Sequence, residues 1–185
     1  MKLTSGTPAP SFETEDIFGQ PIVLRHYVGK PVLLSFFRNG ACAICNLQVH
    51  KLIQKYPTHH AQGLEVIAIF ESPRESVLEH VAKQDAPFPI IADPDARLYN
   101  LYGVETSEAK VTAAVKNPRH DLIQAAEAIG YKLTHEDGSN FFRLPADFLI
   151  CPDQTIEHAF YSDIVGDHMP FATIEQFLGQ IAAMP

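Results

Sequence analysis

Three runs constrain what this chain can fold into: 32-VLLSFF-37, 64-LEVIAIF-70 and 88-FPIIAD-93. None sustains the apolar–polar alternation of a strand with one wet face, so each reads as a strand covered on both sides. Helical spacing fills the gaps. From about Ala43 to Tyr56, Ile44, Leu47, Leu52 and Ile53 line one face, and Pro57 is expected to close the element. Residues 74-RESVLEHVAKQ-84 read as a second helix and 96–102 as a short third. Strands alternating with helices imply crossovers and a mostly parallel sheet with helices on both faces.

The ends of the chain add to this frame. The segment 7-TPAPSFETEDIFGQPIVL-24 reads as a small N-terminal hairpin around a Phe-Gly-Gln turn. After 146-ADFLI-150 come a Pro-Asp turn, a strand in 155-TIEHAFYS-162 and a final helix, 172-ATIEQFLGQIAA-183. Two adjacent strands suit an antiparallel edge, which makes the sheet mixed. Residues 103–142 break the rhythm with one long helical candidate, 116-KNPRHDLIQAAEAIG-130, whose apolar face is Leu122, Ile123, Ala126 and Ile129. The polar 134-THEDGSN-140 follows. This section reads as an insertion within one domain of residues 1–185, able to cover the active edge or to hold a second subunit in a homodimer.

Composition narrows the partners. A chain of 185 residues, 46% hydrophobic and 19% charged, suffices for one domain with a substantial core. A net charge of -8 repels nucleic acid and anionic lipid, so neither is an expected partner. No stretch approaches the twenty or so apolar residues of a membrane span. Met1-Lys2-Leu3-Thr4 leads into Ser, Gly, Thr and Pro rather than a hydrophobic targeting segment. Three cysteines are too few for a disulfide scaffold and leave at least one thiol free, which points to a reducing, cytoplasmic setting.

The chemistry concentrates in 38-RNGACAIC-45. The first strand ends near Arg38 and the helix begins close to Cys42, among amide N–H groups that have no intrahelical acceptor. A thiolate gains from those donors and from the positive end of the helix dipole, so Cys42 is expected to have a lowered pKa and a reactive sulfur. Cys45, one turn along the same face, is placed to attack a mixed disulfide formed on Cys42. Zinc fits poorly, because it needs about four ligands and no second Cys or His pair completes the set. No metal or cofactor is therefore expected. An iron–sulfur cluster shared between chains, or two ordinary core thiols, remain the other readings.

Lesser candidates lie outside the pair. Cys151 follows a strand with no partner at short spacing and reads as a small half-buried residue or, less simply, a resolving thiol. Pro145, ahead of ADFLI, marks a strand start. A cis bond at Leu144–Pro145 would expose the Leu144 backbone to an incoming peptide. Asp147 reads as a strand-end carboxylate facing solvent. His50, His80, His120 and His135 read as surface or packing residues, Phe36 and Phe37 as core, and Phe160 and Tyr161 as interface residues only if one faces outward.

The ordered series 3-LTSGTPAPSFETEDIFGQPIVL-24, 29-GKPVLLSFFR-38, 45-CNLQVHKL-52 and 143-RLPADFLICPDQTIEHAFY-161 resembles the thioredoxin-like superfamily, in its peroxiredoxin-like, alkyl-hydroperoxide-reductase-like branch. The resemblance implies a thioredoxin-like α/β fold. It places Arg38, Asn39, Gly40 and Ala41 in the loop lining the active sulfur, and Leu144-Pro145 at the family's cis-proline facing the cysteines. Two departures stand out. The family spacing P-x-x-x-T-x-x-C puts Cys45 on the peroxide-attacking cysteine, yet Arg38 occupies the place of that Pro and Cys42 that of the hydroxyl residue. Pro145 also occupies the place of the family arginine, leaving Arg38 or Arg143 to polarise a peroxide.

The expected function is a thiol-disulfide oxidoreductase cycling a Cys42/Cys45 dithiol and disulfide, with Cys42 attacking a protein or small-molecule disulfide and an external thiol reductant restoring the pair. The alternative is a thiol-dependent peroxidase acting on hydrogen peroxide or organic hydroperoxides, with Cys45 oxidised to a sulfenic acid and Cys42 resolving. A non-catalytic thioredoxin-fold interaction protein is the third reading.

Overall fold

The computed structural model describes residues 1–132, 134 and 136–183. His135 therefore lies outside the described residues. A short antiparallel hairpin, β1 (Glu13–Glu15) and β2 (Pro21–Val23), precedes a five-stranded sheet of β3 (Val32–Phe36), β4 (Glu65–Phe70), β5 (Ile90–Ala92), β6 (Ala146–Ile150) and β7 (Ile156–Tyr161). The sheet order is β5-β4-β3-β6-β7, with β3 parallel to β4, β4 parallel to β5, and β6 antiparallel to both β3 and β7. This is the mixed sheet expected of a thioredoxin-like α/β fold.

Side chains alternate across the pleat, and both sets are buried. On one face Leu33, Val66, Ala68, Phe70 and Leu149 pack under α1 (Ala43–His60), α2 (Arg74–His80) and α6 (Phe171–Ala182). On the other, Leu34, Phe36, Ile67, Ile69, Phe148 and Ile150 meet the hairpin and α3 (Arg97–Leu101). Phe36 makes ring contacts there with Tyr99 at 5.0 Å, Tyr102 at 5.4 Å and Phe148 at 5.8 Å. The Tyr99 hydroxyl lies 2.6 Å from the Phe37 carbonyl and 2.9 Å from that of Ile69, giving buried strand-end acceptors a donor. Phe160 and Tyr161 both pack inward, Tyr161 donating its hydroxyl to the Tyr102 carbonyl. No helix among the described residues is long and apolar enough to cross a membrane.

Two helix boundaries differ from expectation. Pro57 lies inside α1, which continues to His60. Proline forfeits its own N–H, but its carbonyl still accepts from Ala61 N–H at 3.2 Å, and burial of His59 anchors the last turn. The insertion holds two helices rather than one, α4 (Glu108–Lys116), capped by Ser107, and α5 (His120–Ala128). Asn117-Pro118 separates them, since a residue before proline is pushed out of the helical region. Ala126 is fully buried and Leu122 and Ile123 partly so, whereas Ile129 is exposed.

The two ends of the insertion are zipped together. Thr106 bridges Arg143, Ser107 N–H donates to Phe142, and Leu144 N–H donates to Glu105. Arg143 then ties this junction to the end of β4. Its Nε and Nη2 donate to the two carboxylate oxygens of Glu71 at 2.5 and 3.1 Å, Nη1 donates to the Val104 carbonyl, and the guanidinium lies over the Tyr99 ring. Both partners are buried. Removing one would strand the other charge, so Glu71→Ala should lower stability by about 3–5 kcal/mol in urea unfolding. A loss below about 1 kcal/mol would mean the junction does not depend on this pair.

Candidate active site

Where β3 ends, Phe37 N–H still bonds to Ile69 and the chain then leaves the sheet. Arg38-Asn39-Gly40-Ala41 forms the turn, with Cys42 N–H donating to the Asn39 carbonyl at 3.2 Å and Gly40 N–H to the Ser72 hydroxyl at 2.8 Å. Cys42 is the N-cap of α1: its backbone is extended, its carbonyl accepts from Asn46 N–H, and its Sγ accepts from Cys45 N–H at 3.3 Å. Sulfur thus takes the place of a capping Ser or Asp oxygen. The Asn46 side chain, held by Gln84, donates back to the carbonyls of Gly40 and Cys42 and fixes the turn from inside the helix.

Electrostatics separate the two sulfurs. A hydrogen bond from the Cys45 thiol, then the Arg38 charge and the amides of Cys45 and Ile44, outweigh burial and lower the Cys42 pKa to about 6. Burial, and the bond and charge shared with Cys42, hold Cys45 well above the ordinary thiol value. Cys42 is 8% exposed and Cys45 2%. Cys42 lines a cavity of about 400 Å³ together with Arg38, Ile44, Val115, Ile123 and Phe141. Cys45 does not line it.

Arg38 is itself buried. Its Nη2 donates to the Phe141 carbonyl at 2.6 Å, its guanidinium lies 5.3 Å from that ring's centre, and its Nε–H has no partner. Among the described residues no carboxylate pairs with it, and its charge acts on the two cysteines.

The insertion covers this edge. Thr134 Oγ1 donates to the Ala41 carbonyl at 3.0 Å, Asn39 to Ser139 at 3.4 Å, and Ala41 N–H to Glu136 at 3.3 Å. The Ser76 hydroxyl donates to the same Glu136 oxygen at 2.6 Å. Leu122, Ala126 and Tyr131 pack on Ala43 and Leu47 in the first turns of α1. These partners stand roughly ninety residues from the cysteines, and nothing in the local spacing announces them.

Other expectations need correction. Leu144–Pro145 is trans, as is every peptide bond among the described residues. Leu144 N–H and the Pro145 carbonyl are taken up by Glu105 and Ser162 in an extended run into β6, and neither residue lines the cavity. Arg143 is committed to Glu71 and is not available as an auxiliary at the sulfurs. Cys151 follows Ile150, which pairs with Val32 at the opposite end of β3 from the cysteines. Burial raises its pKa. Asp147 is buried rather than solvent-facing, accepting from Ser35 Oγ at 2.5 Å and Met169 N–H at 2.6 Å beside His168 Nδ1 at 3.1 Å.

The model of the AhpC/TSA family matches residues 5–159. The thiol-disulfide oxidoreductase ResA of Bacillus thuringiensis subsp. konkukian is 30% identical over 104 residues, 56% of this chain and 60% of that protein. Peroxiredoxin 2 of Caldanaerobacter subterraneus subsp. tengcongensis is 32% identical over 117 residues, 60% of this chain and 52% of that one. The chain thus spans between half and two thirds of these relatives. The crystal structure of Peroxidoxin BcpB from Mycobacterium tuberculosis superposes with a TM-score of 0.68 over 99% of both chains at 15% identity, a likeness of fold. The chain belongs to the AhpC/TSA family.

Proposed function

We propose that Cys42 and Cys45 work as a reducing dithiol in which Cys42 attacks first and Cys45 resolves. The observation that carries this order is the opposite displacement of the two thiols at one helix start, with the lowered one on the cavity. With a disulfide substrate, the Cys42 thiolate displaces one substrate sulfur as a thiolate and forms a mixed disulfide. Cys45, losing its proton to that outgoing group, then attacks Cys42 and releases the second substrate sulfur. The pair ends as a disulfide, and an external thiol reductant restores it.

A hydroperoxide is the other electron acceptor this order of attack serves, and the family model together with the Peroxiredoxin 2 relative favours it over a disulfide. The unpartnered Arg38 Nε–H supports it too, as a donor able to polarise an O–O bond. In that chemistry the Cys42 thiolate takes one oxygen, becomes a sulfenic acid and releases an alcohol or water; Cys45 condenses with it and expels water. The order implied by the family spacing, with Cys45 attacking first, has the burial and raised pKa of Cys45 against it. Burial of both thiols under the insertion suits a non-catalytic role, whereas the opening of Cys42 onto the cavity opposes one.

Alkylation of the folded protein by iodoacetamide should follow a thiolate with a midpoint near pH 6, rising with pH as Cys42 loses its proton. Arg38→Gln removes a lowering charge and should move that midpoint up. An unmoved midpoint would deny Arg38 its role, and alkylation only after unfolding would favour the non-catalytic reading. Substrate order is read on the single cysteine variants. Cys45→Ser should accumulate a mixed disulfide with a disulfide, or a sulfenic acid with peroxide, while Cys42→Ser loses at least about a hundredfold in rate; sulfenic acid trapped mainly on Cys45 reverses the assignment.

A further inference from the structure

The cavity beside Cys42 is built largely by the insertion, and its walls say what kind of molecule the sulfur meets. Val111, Ala114 and Val115 of α4 and Ile123 of α5 face Ile44 and Val165 across about 400 Å³, a volume in the range of small-molecule sites. Val115 and Phe141, two of the few exposed large apolar residues, stand on the same walls at 59% and 43% exposure. Asn39, Thr134, Arg119 and Glu136 also line the cavity, but Arg119 is paired with Asp121 and Asp167, and Glu136 Oε2 accepts from Ala41 N–H and the Ser76 hydroxyl. The lining therefore offers few free charges to a multiply charged tripeptide disulfide such as glutathione disulfide, and the net charge of -8 opposes its approach. Arg38 adds one buried N–H without an acceptor.

Resting on the reading of Cys42 as the attacking thiol, we propose that the insertion forms a specificity subsite for a compact organic disulfide with an apolar, uncharged body. The body lies among the α4 and α5 side chains, with one sulfur against Cys42. The Cys42 thiolate forms the new S–S bond as the old one breaks; the departing thiolate is neutralised first by the Arg38 charge and then by the Cys45 proton. The Cys45 thiolate attacks Cys42, releasing the apolar half as a thiolate that takes a proton from water. Two electrons leave the dithiol, and one disulfide becomes two thiols.

The test compares dipropyl disulfide with bis(2-hydroxyethyl) disulfide, which have the same number of heavy atoms and differ at the terminal methyl or hydroxyl. Rates of Cys42–Cys45 oxidation in the pre-reduced protein are each divided by the rate of the same disulfide with free 2-mercaptoethanol, so that intrinsic reactivity cancels. The expected preference for dipropyl disulfide is about tenfold or more, as an apolar pocket discriminates against a misplaced hydroxyl. Ala114→Phe, which fills the cavity, and Val115→Lys, which charges its wall, should each cut that preference to about threefold or less. The far-ultraviolet circular dichroism spectrum and urea midpoint of these variants should stay at the wild-type values, which certifies a folded protein.

A wild-type ratio near one, or a ratio unmoved by both variants, overturns the subsite while leaving the dithiol reading intact. Failure of the wild type to reduce either disulfide, with Cys42 alkylating normally, overturns the disulfide reading and the subsite with it.

Discussion

A sulfur anion and a guanidinium, both largely out of water, meet at the opening turn of α1. The Cys42 thiolate finds the Cys45 thiol, the first amides of the helix and the Arg38 charge; Arg38 finds no carboxylate among the described residues. A buried charge is tolerated when it is paired and hydrogen-bonded, and here each charge compensates the other. The arrangement stabilises the reduced pair in its monoanionic form.

Everything around this contact holds it in place. Buried β3 delivers the loop 38–41 to the sheet edge, and Tyr99 bridges the carbonyls at the ends of β3 and β4. Asn46 grips the turn from within α1, Ser72 from the loop after β4, and Thr134 and Glu136 from the insertion. The insertion is not loosely appended. Its ends are zipped beside Arg143, and the Arg143–Glu71 pair fastens them next to Arg38, whose carbonyl accepts from Glu71 N–H. One end of the sheet therefore carries both Cys42 and Cys45 and the wall that lies over them.

The elements most legible in the chain were those set by local periodicity. Continuous apolar runs announced β3, β4 and β5, and the C-x-x-C at the exit of the first placed Cys42 on a helix start. Pro57 and the 116–130 segment misled because proline and spacing give local preferences that packing and a neighbouring proline overrule: His59 is buried at the end of α1, and Pro118 splits the insertion. Asp147 read as solvent-facing because its burial depends on Ser35 and the 162–169 loop, which sequence distance conceals.

By itself the sequence determined the layer architecture, the hairpin and the place of Cys42 at a helix start with Cys45 one turn on, since strand coverage and helix-start position follow from residues close along the chain. Tertiary structure alone decided that Arg38 faces the cysteines while Arg143 is spent on Glu71, that Leu144–Pro145 is trans, that Cys151 lies at the wrong end of the sheet, and that the insertion walls an apolar cavity. Those outcomes depend on which groups separated by tens of residues share the same few ångströms. Hydrophobic periodicity is blind to that, because it records which face of an element is buried and never what lies across from it.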